Sequence, residues 1–340
     1  MSLKDRVKRP VQEFFERSPR GIVAWNVLRD RIVGLRARLG RHRAHGGATH
    51  ERLDLARSVA YIDEVFGDYL RYSSLSPADL EGARVLEVGP GDNPGVALRF
   101  LAAGAARVVC VDRFLLWRDP AQQREILRAV VAGLEPAQRD RLAGVVTPAG
   151  ELVPGSGRLE FIEGVAIEEA DRRFPPASFD LIVSRAVLEH VLDVERSLAV
   201  MDRLLAPGGT MVHKVDFRDH GMFTGAGMHP LTFLTVRDGV WRWTGRNGDG
   251  LNRRRRDTYR GTLGRLGYAP RILATHVAGV EAELVPHRDV LDPERDVPAE
   301  ARSSARALRP RLAPEFRGLG EDDLLIAGIF FEARKPERGP

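Results

Sequence analysis

A single cysteine, Cys110, stands in a chain of 340 residues. One thiol cannot close an internal disulfide, and it excludes zinc sites built from cysteine clusters. It lies within Val108-Val109-Cys110-Val111 and reads as a buried small hydrophobe, the usual condition of a free cysteine. Long apolar runs are missing too. No stretch approaches the roughly 20 residues that carry a helix across a bilayer. The opening MSLKDRVKRPVQEFFERSP has no apolar core of a secretory signal. A soluble, cytoplasmic protein is the expectation. No spacing of histidine and carboxylate stands out as a metal site, and no segment repeats at a fixed period. Wholesale disorder is excluded as well, because 43% of residues are hydrophobic against 29% charged.

The net charge of +5 is unevenly spread. Residues 1–60 hold 14 Lys/Arg and 6 Asp/Glu, a surplus of 8, which leaves a net −3 on the rest. In this basic segment Trp25, Leu28, Ile32, Leu35 and Leu39 recur at spacings of three and four, one face of a helix. Arg29, Arg31, Arg36 and Arg38 fall mostly off that stripe. The expectation is a helix packed by its stripe onto the main body. The alternative is a basic amphipathic helix touching a membrane surface or an anionic substrate. A second helix is expected over Leu53–Tyr69, and residues 1–80 together read as an N-terminal helical cap.

From residue 84 to 216 short apolar runs alternate with helical patterns. The runs are Arg84–Val88, Arg107–Val111, Leu159–Ile162, Asp180–Ser184 and Thr210–Asp216. The helices are expected at Gly95–Ala103, Pro120–Leu134 and Val194–Leu205. Such alternation implies βαβ units and a mostly parallel sheet covered on both faces. Residues 144–158 read as a loop insertion. Irregular excursions are expected at about 217–255 and 285–320. Between them come a helix near Asp257–Leu266 and a strand at Arg271–Val277. The run Leu324–Ala333 suits a central strand. The predicted domains are therefore the cap at 1–80 and an α/β domain at 81–340.

The sharpest motif is Val85-Leu86-Glu87-Val88-Gly89-Pro90-Gly91-Asp92-Asn93-Pro94-Gly95. It reads as a strand ending in a glycine-rich turn that opens into a helix, at the sheet edge where open α/β folds bind ligands. Glycines there permit unusual backbone angles and close ligand approach. A dinucleotide site would offer helix amides to a pyrophosphate. Here Pro94 has no N–H to give, and Glu87 would repel the phosphates. A carboxylate at that point suits a cationic ammonium or sulfonium ligand. Asp112, at the end of the second strand, can hold both hydroxyls of a ribose.

On these residues the chain resembles the class I S-adenosylmethionine-dependent methyltransferases, whose acid-x-Gly-x-Gly turn is matched by Glu87-Val88-Gly89-Pro90-Gly91. Phe179-Asp180-Leu181-Ile182-Val183-Ser184 is similar to the family's fourth strand. Leu204-Leu205-Ala206-Pro207-Gly208-Gly209-Thr210 is similar to its turn into the fifth. The resemblance implies a doubly wound seven-stranded sheet with an antiparallel last strand, and S-adenosylmethionine as methyl donor. It implies donor contacts from Glu87, Gly89, Pro90, Gly91, Asn93, Asp112 and Ser184. It places adenine near the backbone of Ala166 and Ile167, with Glu168 as a substitute for the family's usual acid. The first 80 residues lie outside it.

Methyl transfer from a sulfonium is an in-line displacement in which alignment carries much of the catalysis. An acceptor hydroxyl also needs a base, a task that suits histidine. His190 after the fourth strand and His220 after the fifth are the candidate catalytic residues, with His229 as a further acceptor contact. Each also admits a purely structural reading. The segment Ser184-Arg185-Ala186-Val187 lacks the motif of DNA adenine methylation, and Cys110 is misplaced for the thiolate of pyrimidine C5 methylation. Arg253-Arg254-Arg255-Arg256 reads as a solvated basic face or an anion site, and with Trp241 and Trp243 it keeps an RNA acceptor in view. The expected acceptor is a small or medium-sized molecule, methylated on oxygen rather than nitrogen or carbon. A donor-binding protein without turnover and an NAD-dependent oxidoreductase are the rival classes.

Overall fold

The computed structural model describes residues 15–39, 49–114, 119–248 and 250–337. Its longer elements in chain order are α1 (Pro19–Arg38), α2 (Leu55–Arg71), β1 (Arg84–Val88), α3 (Gly95–Ala102), β2 (Arg107–Asp112), α4 (Pro120–Ala132), β3 (Leu159–Glu163), β4 (Phe179–Arg185), α5 (Val194–Leu204), β5 (Leu205–Asp216), α6 (Arg256–Arg265), β6 (Arg271–Val277), α7 (Ala299–Leu308) and β7 (Ile326–Arg334). The strands form one seven-stranded sheet in the order β3-β2-β1-β4-β5-β7-β6. β1 pairs in parallel with β2 and β4, β2 with β3, and β4 with β5. Gly208 and Gly209 bond to Lys335 while Phe217 bonds to Ala327. β7 therefore runs antiparallel to β5. This is the doubly wound sheet that the alternating runs imply.

The described residues divide into two units. One comprises residues 43–214, 260–271 and 330–340, and the other residues 1–42, 215–259 and 272–329. In the first, β1, β2 and β4 are buried along nearly their whole length. Val85, Leu86, Val108, Val109 and Ile182 have no exposed surface, as continuous apolar runs with cover on both faces require. Helix α2 starts at the Asp54 side chain, which accepts from Arg57 N, and buries Ile62, Val65 and Tyr69. Phe100 of α3 sits edge-on to Phe66 (5.1 Å) and tilted against Tyr69 (5.9 Å). Thus α2 belongs with the sheet's own packing.

In the second unit, α1 is a helix as the spacing predicts, but it buries the opposite face. Leu28, Ile32, Leu35 and Leu39 are 47%, 43%, 60% and 60% exposed, while Ile22, Val23 and Asp30 are buried. The reason lies on the other side of the helix. Gly34 has no side chain, and a Cβ there would meet Asn247 Cγ at 2.7 Å. Asp30 accepts from Asn247 N at 2.8 Å and from its Nδ2 at 2.7 Å. A close helix–loop contact with a satisfied buried carboxylate outweighs the broader aliphatic stripe, because an ionised group cannot be buried without partners. No helix among the described residues is long and apolar enough to cross a membrane.

Phe100→Ala removes a fully buried ring between two aromatic neighbours. We expect it to cost about 3–5 kcal/mol of unfolding free energy, measured by chemical denaturation. A loss below about 1 kcal/mol would show that α2 and α3 do not share one cooperative core.

Candidate functional site

The end of β1 builds the site. Gly89 has φ +68° and Gly91 φ +71°, both in the region that side chains rarely adopt. Gly89 N donates to Val111 O of β2 at 2.8 Å, tying the turn to the neighbouring strand. A Cβ on Gly89 would lie 2.4 Å from Val187 Cγ2, so the turn passes directly under the segment that follows β4. Asn93 Oδ1 accepts from Gly95 N at 2.8 Å and so starts α3, doing what Pro94 cannot. Asn93 is 4% exposed, and its Nδ2 has no partner among the described residues. Asp92 accepts from His50 N (3.3 Å) and Glu51 N (3.1 Å), and Gln122 Nε2 donates to His50 O at 2.6 Å. The segment before α2 is thereby fastened onto the turn.

Glu87 is 5% exposed, and Cys110 Sγ donates to its Oε2 at 3.5 Å. Burial pushes its carboxyl up to about 7, against a small opposing effect of the thiol. A carboxylate so placed is stabilised by an arriving cation. On the adjacent parallel strand Asp112 is half-buried. Its Oδ1 accepts from Phe114 N at 2.9 Å, and its backbone oxygen accepts from Val165 N at 3.1 Å. Ala166 lies just beyond, leading into a turn of 3-10 helix at Ile167–Arg172, with Ile167 buried. Glu168 faces elsewhere: its Oε1 accepts from Leu192 N (2.8 Å) and Asp193 N (3.4 Å) ahead of α5. The hydroxyl of Ser184 lies 2.7 Å from His213 Nδ1, with both residues fully buried. The side chain of Ser184 is thus engaged with a histidine that burial holds neutral, at about 3.

The exit from β4 is held by Arg185. Its guanidinium donates to Asp68 Oδ2 (2.8 Å) and Glu64 Oε1 (2.6 Å) of α2 and lies over Tyr61 at 5.5 Å. Ala186 follows with φ +55°, and His190 N donates to Val187 O at 2.8 Å, closing the turn that carries the half-buried imidazole. Glu87, Gly89, Pro90, Gly91, Asn93, Asp112, Ala166, Ile167, Ser184 and His190 all fall in the unit of residues 43–214.

His220 belongs to the other unit, where a cavity of about 370 Å³ is lined by Asp216, Arg218, His220, Phe233, Arg255 and Glu281 among others. His220 has φ +50°, and its Nε2 lies 3.5 Å from Asp216 Oδ2. Burial opposes ionisation of Asp216, but the hydrogen bonds of His220 and Arg218 hold its carboxyl well below the usual range. Asp219, 3% exposed, accepts from Gly221 N, Phe223 N and Thr224 N and fixes the loop around His220. His229 is committed elsewhere, accepting from Leu231 N at 3.1 Å and lying 3.0 Å from Ser304 Oγ. Asp216 was discernible only as an acid four residues before a histidine, a weak signal. Asp92 and Arg185 had no signal beyond position.

The arginine run is divided: Arg254 is exposed, 3.8 Å from Asp238, while its neighbours are committed to the interior or to a salt bridge. Arg253, 3% exposed, donates to Phe233 O (2.7 Å) and Val236 O (2.6 Å), pairs with Asp238, and lies 4.4 Å from the Trp241 ring. Arg255, 2% exposed, donates to Leu324 O (3.0 Å), Asp323 O (3.2 Å) and Ile326 O. Burial lowers both guanidinium groups to about 10. Arg256 pairs with Asp323 at 2.6 Å. Charge is spent here on carbonyls that the turns leave open.

Residues 60–271 match the model of a methyltransferase domain family. The chain belongs to that family, and with it to the class I S-adenosylmethionine-dependent methyltransferases. Among solved structures it is similar to an S-adenosylmethionine-dependent methyltransferase from Mesorhizobium loti (19% identity, TM-score 0.40, 81% of this chain and 100% of the other). It is also similar to the YcgJ protein of Bacillus subtilis (15%, 0.40, 81% and 99%). A third is phosphoethanolamine N-methyltransferase 2 of Haemonchus contortus in complex with S-adenosyl-L-methionine (14%, 0.43, 82% and 56%). No curated protein matches the sequence.

Gly89→Ala combines an unfavourable φ with the Val187 contact, and we expect about 1–3 kcal/mol of destabilisation. Gly82→Ala is the control, because Gly82 has φ +73° in open space. Equal losses in urea unfolding for the two variants would show that Val187 does not constrain the turn.

Proposed function

We propose that the chain methylates a small or medium-sized acceptor, on oxygen in preference to nitrogen or carbon, in the cytoplasm. The single observation that carries this reading is the buried carboxylate of Glu87 under a glycine turn, with Asp112 closing the next strand. Glu87 faces the cationic end of the donor, Asp112 binds the ribose, and the buried Asn93 amide finds in the donor the partner it lacks among the described residues. The backbone of Gly89, Pro90 and Gly91 wraps the amino-acid portion, while Ala166 and Ile167 approach the adenine. Ser184 contributes through its main chain, since its hydroxyl is held by His213. S-adenosylmethionine supplies an activated methyl group, so the protein needs mainly to align the acceptor.

An oxygen acceptor is favoured by the Asp216–His220 pair. An acid that stays ionised beside an imidazole orients the ring and supports it as it takes a proton from a hydroxyl. The cavity around that pair has the volume of a small-molecule site. His190 is the second candidate base. A nucleic-acid acceptor has less support, because Arg253 and Arg255 of the arginine run are buried and Arg256 is paired with Asp323.

Purified protein with metabolite pools should form S-adenosylhomocysteine. His220→Ala should lower kcat by about 100-fold or more, with donor affinity unchanged. Full turnover in both His190→Ala and His220→Ala would remove the base, and donor binding without product would assign a binding protein. Donor affinity should also depend on pH. Glu87 must lose its proton to meet a cation, so affinity should rise with pH and level off above about 7. Each unit below costs up to about tenfold. Glu87→Gln should flatten that profile in calorimetric titrations, and an unchanged profile would separate Glu87 from the donor.

A further inference from the structure

We propose that α1 docks the protein on an anionic lipid surface. Four aliphatic side chains, Leu28, Ile32, Leu35 and Leu39, stand exposed along one face of the helix, while its opposite face is the buried one. Helical spacing sets Arg29 and Arg36 on one flank of this stripe and Arg31 on the other, and all three are exposed. The helix holds five arginines and one acid, Asp30, which is buried and bonded to Asn247. On the Arg31 flank stands Trp243. Its ring carries the guanidinium groups of Arg31 (5.0 Å), Arg242 (5.4 Å) and Arg246 (5.7 Å). Asp30 bonds α1 to the loop that bears these residues, so stripe, arginines and indole form one patch.

Charge complementarity selects the occupant. An aliphatic row bordered by guanidinium groups suits an interface whose interior is acyl chain and whose rim is phosphate. An indole belongs at that boundary. A second copy packed stripe to stripe would set arginine against arginine with no acid between them. RNA would meet aliphatic side chains at the patch centre, where it needs charge or stacking.

The test is flotation of the full chain with vesicles of phosphatidylcholine alone or mixed with phosphatidylserine. The protein should float with the mixed vesicles, stay behind with the neutral ones, and release as salt rises. The pair Ile32→Ser and Leu35→Ser should lower partitioning by about tenfold or more. The pair Arg29→Gln and Arg36→Gln should also lower it about tenfold. Both pairs should keep the parent melting temperature, because all four side chains are exposed. The proposal is overturned if the parent chain ignores the mixed vesicles, or if neither pair changes partitioning. A dimer that Ile32→Ser and Leu35→Ser dissolves, in a protein that binds no vesicles, would give the stripe to a second copy. Retention by RNA but not by vesicles would give it to nucleic acid. None of these readouts depends on methyl transfer.

Discussion

The narrow passage between Gly89 and Val187 sets the geometry of the sheet edge where β1 and β4 end. β1 and β4 are adjacent parallel strands, so the segments leaving their ends must share the same edge of the sheet. There is room for the turn after β1 only if it has no side chain at its first position. The left-handed φ of Gly89 and Gly91 then turns the backbone back toward α3, and Asn93 replaces the missing cap at Pro94. Asp92 and Arg185 hold the two neighbours of the turn by hydrogen bonds of their own. At the turn itself the sheet edge presents backbone, because a side chain on Gly89 would collide with Val187.

Buried charge is treated in two opposite ways. The arginines at 253 and 255 enter the interior together with the carbonyls that compensate them, so their burial is structural. Glu87 enters with no cation among its partners in the described residues, a thiol donating to its carboxyl, and burial lifts that carboxyl to about 7. Its stabilising contribution is therefore present below the ordinary carboxylate range and is lost as pH rises through about 7. A cation brought to the turn would reverse that loss. The one carboxylate of β1 lies beside the glycine turn, and imperfect satisfaction of a buried charge is a common mark of a binding site.

Much of this was legible in the residues. The central strands β1, β2 and β4 are largely apolar runs whose ends agree with the pattern to within a residue, whereas β5 starts five residues before the expected Thr210. Glu87, Gly89, Gly91 and Asp112 stood out because each breaks an apolar run with a residue whose chemistry is hard to explain otherwise. What could not be read has a physical cause. Helix α1 is apolar on two faces, and periodicity cannot say that a glycine and a buried Asp–Asn contact will outweigh four aliphatic side chains. The arginine run looked solvated because its partners include carbonyls from residues 217, 233, 236, 323, 324 and 326, which no local pattern announces. Ser184 fits the fourth strand, yet its hydroxyl is spoken for by a histidine 29 residues away.

These placements change the meaning of the net charge. Counted along the chain, positive charge gathers in the first 60 residues and again at 253–256. Counted by accessibility, the second cluster shrinks to Arg254, since Arg253 and Arg255 are buried and Arg256 is paired. The field felt by an approaching molecule is set by charge in contact with solvent. A formal charge of +5 therefore misstates where an anion would be drawn. Guanidinium groups on α1 and around Trp243 are exposed, and they border the aliphatic side chains that the helix leaves uncovered. Part of the basic surplus, five arginines against one acid, thus belongs to one helix that is bonded to the loop around Trp243.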